Sequence, residues 1–470
     1  MHKKALRRLD AVSSESRRWA TGNGILMNRQ AWDRLLPLLI IVVAAAHIVQ
    51  PDQANVHYRL QPMLKAGHQM ALGAGVDHVL SHDCRAYDAG TPLLLGLTLR
   101  LSYSYEELAR GCPSQPPKLY YLLMFGANAV CFIILYLALR DLLDRAIAFG
   151  LSAVYLLSPA ARFVFFAADE YFFPIYAGTL MLAGVALLGR RHRWVPIVLG
   201  LCAAGIAGCN LFRRGAVVVV AGFLLVLVAP RLLAMHTEPR IIRRRAAACL
   251  AGVMLLTAAA TGLVGGAHHM FWHALHCGLA EFGGYEDSRG EIYPYFVPRD
   301  ALPPDARPVD CWSDQREVRF VQSVDPAIRE WTPEYERVMR DDFFRIVRQN
   351  PAGTAGLIGR RLWRLMALNP WARHTADSEL LPCWTDDLAR AIWAVLCVGG
   401  LICGLPRRTL LLVCGLLPLA LPPLLVHSGY IMYNLAGQFP LYLLGIAGAR
   451  AIQLRFSGRR QTRLAENDPR

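Results

Sequence analysis

Long apolar blocks, separated by short and often basic connections, are the feature that most limits what this chain can fold into. A helix of about 20 apolar residues crosses the roughly 30 Å of hydrocarbon in a bilayer. Ten blocks are candidate spans, at about 35–50, 119–138, 146–161, 172–189, 195–210, 215–232, 247–265, 389–405, 409–426 and 435–450. Backbone inside hydrocarbon must satisfy its own hydrogen bonds, which a helix does within one segment. The sequence therefore predicts an all-α polytopic membrane protein with about ten transmembrane helices.

The basic residues predict the orientation of these spans. Eight Lys/Arg lie in the first 34 residues, and six Arg lie in the tail from Arg450. Further Arg clusters fill the connections at 190–193, 240–245 and 407–408. These segments alternate along the ten spans, and cytoplasmic loops of membrane proteins carry an excess of Lys and Arg. We therefore expect a plasma (inner) membrane protein with both termini in the cytoplasm. The net charge of +15 then reflects orientation and anionic lipid partners, and it does not indicate nucleic-acid binding.

The blocks and loops divide the chain into five predicted segments. They are a cytoplasmic basic N-terminus (1–34), a transmembrane module (35–265) with a first outer loop (51–118), an extracytoplasmic subdomain (266–388), C-terminal transmembrane helices (389–450) and a cytoplasmic basic tail (451–470). The subdomain carries 19 of the 35 acidic residues, so it is not membrane-like. Thr332-Pro333-Glu334 is typical of a helix start. The spacing of apolar residues among charged ones predicts helices at Tyr335–Gln349 and Thr354–Leu368. We expect this subdomain to be helical.

Charged residues at the outer ends of the predicted spans are the candidate site. Asp52 directly follows the first block, and Asp169 and Glu170 lie in the turn after the third. A carboxylate is costly near hydrocarbon but tolerable where it meets water, a cation or a polar substrate. These acids are therefore either ordinary interfacial residues or active-site carboxylates. Arg213 and Arg214 depart from the positive-inside pattern, by chance or because their guanidinium groups bind a phosphate.

Other constellations carry weaker signals. His269, His273 and His276 share one helical face by spacing, and interfacial histidines are the favoured interpretation over a metal site because no ligand set is complete. Cys84 and Cys112 share a loop and could form a disulfide, although the sequence does not fix cysteine pairing. The chain has no Walker loop, Rossmann fingerprint, nucleophile elbow or paired CxxC motif. An ATP-driven transporter is therefore not expected.

The order of these groups resembles the C-type fold membrane glycosyltransferases (GT-C), the superfamily of protein O-mannosyltransferases and lipid A aminoarabinose transferases. The resemblance rests on an acid after one span (Asp52…Tyr58…Leu64…Gly67), on Tyr87-Asp88-Ala89-Gly90-Thr91-Pro92, on Asp169-Glu170…Pro174 and on Arg213-Arg214-Gly215. It covers most of residues 30–230 and, loosely, the closing spans. One departure is that many relatives have an Asp-Glu pair in the first loop, whereas Gln53 follows Asp52 here.

This resemblance implies an inverting transfer of a sugar from a polyprenyl-phosphate donor to a glycan, lipid or protein acceptor in the cell envelope, on the periplasmic side. Asp52 would be the base, Asp169 and Glu170 would bind the acceptor or a divalent cation, and Arg213 and Arg214 would bind the donor phosphate. Further substrate-lining candidates are His57, Tyr58, Tyr87, Asp88, Arg162, Tyr433 and Gln438. No cofactor other than a divalent cation is implied. Two alternatives stay open: a transporter or flippase of lipid-linked sugars, and a polysaccharide polymerase or ligase.

Overall fold

A computed structural model gives the fold of the chain. It describes residues 38, 60–75, 90–157, 173–188, 190, 192–212, 240–264, 271–309, 314–330, 332–366, 383–426 and 431–466. This part of the chain is mostly helical and contains three short strands. The predicted all-α class is confirmed at this level, with a small sheet that the sequence did not predict.

Most of the predicted spans correspond to helices. The helices of the two apolar regions are α4 (Lys118–Leu142), α5 (Arg145–Leu157), α6 (Phe173–Leu188), α7 (Val195–Phe212), α8 (Arg240–Val264), α13 (Cys383–Cys403), α14 (Arg407–Leu416), a 3₁₀ turn (Leu417–Ala420), α15 (Leu421–Leu425) and α16 (Ile431–Glu466). The candidate spans at 35–50 and 215–232 lie outside the described residues, Leu38 excepted. Helix α16 continues past the predicted end of its span and includes most of the basic tail.

Length and composition identify α4 as the one helix in the described residues that is long and apolar enough to cross a membrane. Its mean hydropathy over the best 18-residue window is 2.4. Five shorter apolar helical stretches lie within α5, α6, α7, α8 and the α14–α15 region. The larger number of ten transmembrane helices therefore stays a prediction.

One end of the helix bundle is held together by arginine contacts. Arg190 pairs with Asp141 at 2.8 Å, and Arg450 pairs with Asp144 at 3.3 Å. Arginines also donate to carbonyl oxygens at helix ends: Arg245 to Leu188 (3.3 Å) and Arg190 (2.6 Å), and Arg455 to Ile402 (3.3 Å). These residues belong to the predicted inward connections and to the tail. We call this the basic end of the bundle.

The last long helices pack through glycines. A Cβ atom at Gly400 of α13 would collide with the backbone of Gly448 in α16, and a Cβ at Gly445 would collide with the ring of Trp393. Such close backbone approach is possible only for small residues, and it is common between membrane helices. Trp393 also stacks on Tyr442, with ring centroids 4.8 Å apart.

The first outer loop contains three short helices, α1 (Leu60–Ala71), α2 (Gly90–Ser102) and α3 (Tyr105–Ala109). Helices α1 and α2 cross at Gly67 and Gly96, where a Cβ atom on either glycine would lie 2.9 Å from backbone of the other helix. Ser104 and Glu107 form a capping box at the start of α3. Cys112 is a free, exposed thiol in this structure, and Cys84, its possible partner, lies outside the described residues.

The segment predicted to be extracytoplasmic, which we call the outer subdomain, combines four helices with a small antiparallel sheet. Its elements are α9 (Phe271–Gly278), β1 (Gly284–Glu286), β2 (Ile292–Tyr293), β3 (Arg307–Val309), α10 (Asp314–Val324), α11 (Pro333–Gln349) and α12 (Pro351–Leu365). The strand order is β2-β1-β3, with Tyr285 paired to both Tyr293 and Pro308. Thr332 caps α11 by accepting a hydrogen bond from the backbone N–H of Tyr335, as predicted. Helix α12 packs against α15 and α16, which joins the subdomain to the bundle.

Candidate functional site

Most of the residues predicted for the site lie outside the described part of the chain. They are Asp52, His57, Tyr58, Tyr87, Asp88, Arg162, Asp169, Glu170, Arg213 and Arg214. Tyr433 lies in the first turns of α16, where only the backbone is described. Gln438 also lies in α16, and its side chain is fully buried. Their proposed roles therefore stay predictions, and the described helix ends next to them carry the structural information.

The N-terminal end of α6 and the C-terminal end of α7 meet at one point. The rings of Phe173 and Phe212 stack with centroids 3.9 Å apart and an interplanar angle of 8°. Phe173 is the first residue of α6, and Phe212 is the last residue of α7. The opposite ends of these two helices, at Leu188 and Val195, lie toward the basic end. The stacked pair therefore marks the other end of the bundle.

Polar side chains lie below this aromatic pair, among the helices. The Tyr176 hydroxyl donates a hydrogen bond to Oδ1 of Asn128, which joins α6 to α4. Cys131 Sγ lies 3.4 Å from Thr179 Oγ1 one turn further along both helices. Tyr176 also meets Phe173 edge to face, with ring centroids 5.2 Å apart. These contacts fix the start of α6 against α4, because a buried polar group needs a partner in an apolar interior.

Gln438 lies where α16 meets α15 and the preceding 3₁₀ turn. Its neighbour Gly437 packs so closely on this region that an added Cβ would collide with the ring of Pro423 and lie 3.4 Å from Ala420. Phe439, on its other side, is almost fully buried. The buried amide of Gln438 is therefore held in the closely packed wall formed by α15 and α16. Its role in lining the substrate site stays a prediction, because the other candidates lie outside the described residues.

A buried cluster of charged residues, which the sequence did not predict, lies in the outer subdomain. The His276 ring lies between two carboxylates: Nδ1 is 2.6 Å from Glu317 Oε2, and Nε2 is 2.8 Å from Asp342 Oδ2. Arg316 donates to Oε1 of Glu317 at 2.8 Å, and Arg345 donates to Oδ1 of Asp342 at 2.7 Å. His276, Arg316 and Glu317 have no exposed surface. We call these five residues the ionic cluster.

The protonation state of the cluster follows from its geometry. Burial by itself lowers the pKa of His276, but Glu317 and Asp342 outweigh burial and raise it to about 9. Burial by itself raises the pKa of Glu317, but His276 and Arg316 lower it to about 2. The pKa of Asp342 is also lowered, by His276 and Arg345 against the effect of burial. At neutral pH the cluster is therefore a fully charged network that connects α9, α10 and α11.

This arrangement is a structural network and offers no accessible reactive group. A buried charge pair is stable only when its hydrogen bonds are completed, which the two arginines do here. Within the described residues, no group of three or more His, Cys, Asp or Glu side chains could hold a metal ion. His273 instead bonds to the Tyr335 hydroxyl at 2.8 Å. Contacts inside the subdomain therefore account for His273 and His276. His269 lies outside the described residues.

A second buried arginine joins the outer subdomain to the bundle. Arg361 in α12 donates to the carbonyl oxygens of Leu424 (3.0 Å) and Leu425 (2.8 Å), at the end of α15. It also donates to the carbonyl of Gly278, at the end of α9, and to Glu281 Oε2 at 2.8 Å. Arg361 and Glu281 are each only 2% exposed. One guanidinium therefore satisfies the orphan carbonyls of two helix ends and fixes α12 to α15.

Sequence reasoning did not find these contacts because their partners are far apart in the chain. Glu317 and Asp342 are 41 and 66 residues from His276, and Glu281 is 80 residues from Arg361. The available signal was the unusual number of acids in this segment. The number of acids indicates a polar subdomain, but it does not show which acid contacts which basic residue.

Comparison with known proteins finds no match for this chain, neither a family model nor a curated protein nor a solved structure. The residues themselves therefore carry the functional inference.

Proposed function

We propose that this protein is an integral-membrane glycosyltransferase, which moves a sugar from a polyprenyl-phosphate donor to an acceptor on the extracytoplasmic side. The observation that supports this best is the stacking of Phe173 on Phe212 at the end of the bundle away from the basic end. Asp169 and Glu170 precede Phe173 by four and three residues, and Arg213 directly follows Phe212. In the sequence, an acidic pair therefore precedes the start of α6, and a basic pair follows the end of α7.

Exposed apolar side chains support the location in a membrane. On α13 they recur along the helix at Leu388, Ile392, Val395, Val398 and Ile402, each about half exposed or more. Helix α4 likewise exposes Leu122, Val130 and Ile133. Extended apolar surface of this kind is uncommon on proteins in water and is expected where helices face lipid tails. A lipid-linked donor explains why the enzyme is embedded.

The proposed chemistry assigns each group a task. The acceptor hydroxyl or amine attacks the anomeric carbon while the carbon–oxygen bond to the phosphate breaks, with inversion at carbon. The acceptor proton passes to the carboxylate of Asp52 as general base. The polyprenyl phosphate leaves with its negative charge stabilised by Arg213 and Arg214. Asp169 or Glu170 positions the acceptor or binds a divalent cation.

The outer subdomain is the proposed acceptor-binding region. It is joined to the bundle at α15, next to the connection that leads into α16, by the buried Arg361 contacts. An open cavity of about 400 Å³ lies beside its sheet, lined by Tyr285, Arg299 and several prolines. A transferase needs a surface that presents the acceptor, whereas a flippase of lipid-linked sugars has no need of one. This consideration favours transfer over transport.

The proposal is tested by separating donor binding from transfer in the purified protein. Native mass spectrometry of the protein in nanodiscs measures binding of a polyprenyl phosphate, and a radiolabelled polyprenyl-phosphate sugar measures transfer. Arg213→Ala is expected to weaken phosphate binding by about tenfold or more, because it removes charge-assisted hydrogen bonds. Asp52→Asn is expected to keep binding and to lose transfer by about 10²- to 10⁴-fold.

Arg193→Ala is the matched control, since Arg193 is exposed in the connection between α6 and α7 at the basic end and lies over the Trp194 ring. It should leave both measurements unchanged. Full transfer activity in Asp52→Asn would exclude Asp52 as the base. Unchanged phosphate binding in Arg213→Ala would remove the phosphate assignment. Uptake of labelled sugar into sealed vesicles without transfer would favour the transporter.

A further inference from the structure

Helix α12 has an exposed face without any charged side chain. Its buried face is formed by Leu357, Arg361 and Leu365, at positions i, i+4 and i+8. The opposite face is exposed and consists of Ala352, Ala355, Gly356, Gly359 and Trp363, with Leu362 along one edge and Arg360 along the other. A surface helix of a globular protein normally carries charged or polar residues on the side that faces water. The outward side of α12 is therefore adapted to a different environment.

The charged residues of α12 are all arginines, and the exposed one, Arg360, lies beside this face. The helix contains Arg360, Arg361 and Arg364 but no Asp or Glu. Arg360 is exposed and lies over the Tyr295 ring, 4.2 Å from its centroid, and it forms no ion pair with the residues that the structure describes. An apolar face flanked by an available cation matches the boundary between acyl chains and anionic head groups.

The position of α12 in the fold brings the helix to the bundle end, with its exposed face turned away from these contacts. Arg361 binds the carbonyl oxygens of Leu424 and Leu425 at the end of α15, and α12 also packs on α16. Along the chain, α12 precedes α13, whose exposed apolar side chains begin at Leu388. Helix α12 therefore lies at the bundle end and, among the described elements, comes directly before the helix whose exposed surface is assigned to lipid.

We infer that the outward face of α12 lies on the outer surface of the membrane, with Leu362 and Trp363 among the acyl chains and Arg360 at the lipid phosphates. The occupant of this face is lipid and not a second protein, because the exposed charge beside it, Arg360, is a cation suited to lipid phosphates and the helix carries no acid. This arrangement holds the outer subdomain against the bilayer, where a lipid-linked donor is presented. The inference rests on the membrane location proposed above but does not depend on the transfer reaction.

Photo-crosslinking of the full-length protein tests this placement. A benzophenone amino acid replaces Leu362 in one variant, Val395 of α13 in a second and the exposed Gln322 of α10 in a third. Each variant is irradiated in nanodiscs of phosphatidylethanolamine and phosphatidylglycerol, and lipid adducts are identified by mass spectrometry. Leu362 and Val395 are expected to give on the order of tenfold more lipid adduct than Gln322. The adduct at Leu362 should decrease when Arg360→Gln is added.

The outcomes separate this inference from the proposal on which it rests. Adducts at Val395 without adducts at Leu362 would overturn the placement of α12 while leaving the membrane location intact. Adducts at neither position would overturn both. Cross-links from Leu362 to a second copy of the chain, in place of lipid, would assign the face to self-association and would also overturn the inference.

Discussion

Replacement of Arg361 by methionine is expected to release the outer subdomain from the helix bundle. The substitution removes the donors to Leu424, Leu425 and Gly278 and one cation from Glu281, which keeps its contact with Arg364 at 3.1 Å. Removing one partner of a buried ion pair costs about 3–5 kcal/mol, because the other charge stays buried. The free energy of opening at this contact should fall by that amount.

Hydrogen exchange of the full-length protein in nanodiscs measures this opening. A loss of about 3 kcal/mol corresponds to roughly a hundredfold faster exchange of protected amides in α9 and α12. Arg360→Met is the matched control, because Arg360 is adjacent in sequence but exposed, and among the described residues it contacts the Tyr295 ring and forms no ion pair. Its effect should stay below about 1 kcal/mol. Equal exchange in the two variants would refute the assigned role of Arg361.

A double substitution sharpens the test of the Arg361–Glu281 pair. Glu281→Gln in the Arg361→Met background removes the buried charge that the single change leaves behind. The double variant should therefore be less destabilised than the sum of the two single variants. Simple additivity would mean that Arg361 acts through packing and not through its charge.

Two further predictions concern the ionic cluster and the helix packing. The pKa of His276 is about 9 in the fold against an ordinary 6.5, so its charged ring stabilises the subdomain fully below pH 6.5, and this stabilisation is lost as the pH rises through 9. The thermal midpoint of the wild type should therefore fall between pH 6.5 and 9, by the equivalent of on the order of 3 kcal/mol. The midpoint of His276→Gln should be lower than that of the wild type at pH 6.5 and should vary less with pH. Gly448→Leu should lower the thermal midpoint by the equivalent of about 1–3 kcal/mol or more, because its Cβ would collide with the Leu396 carbonyl and approach Gly400. Gly200→Leu is the control for this change, because nothing lies within 4 Å of an added Cβ there, and an equal loss in both variants would contradict the proposed crossing.

The hydrophobic pattern was sufficient to predict most of the helices. The block at 119–138 corresponds to α4, and the block at 172–189 corresponds to α6, because burial of the backbone in an apolar environment imposes helix formation over the whole block. The helix ends were less certain, since short polar flanks continue a helix without being apolar. Helix α16 shows this clearly: it continues through the basic tail to Glu466.

Contacts between distant segments could not be read from the pattern. The sheet at Gly284–Glu286 has strands of two or three residues, too short to show an alternation. His276 could be placed on a helical face by its spacing, but its partners Glu317 and Asp342 come from other helices. The candidate site shares this difficulty, because its predicted members come from loops that are far apart in the chain. The stacking of Phe173 on Phe212 supplies the one described link between two of these loops.

An experimental structure of the protein in nanodiscs with a bound polyprenyl phosphate would test the proposed function most directly. The account predicts the lipid phosphate beside Arg213 and Arg214, with the carboxylate of Asp52 facing the same cavity on the side of the outer subdomain. A central pathway that opens alternately to both sides of the membrane, with no phosphate at these arginines, would contradict the transferase and would support transport.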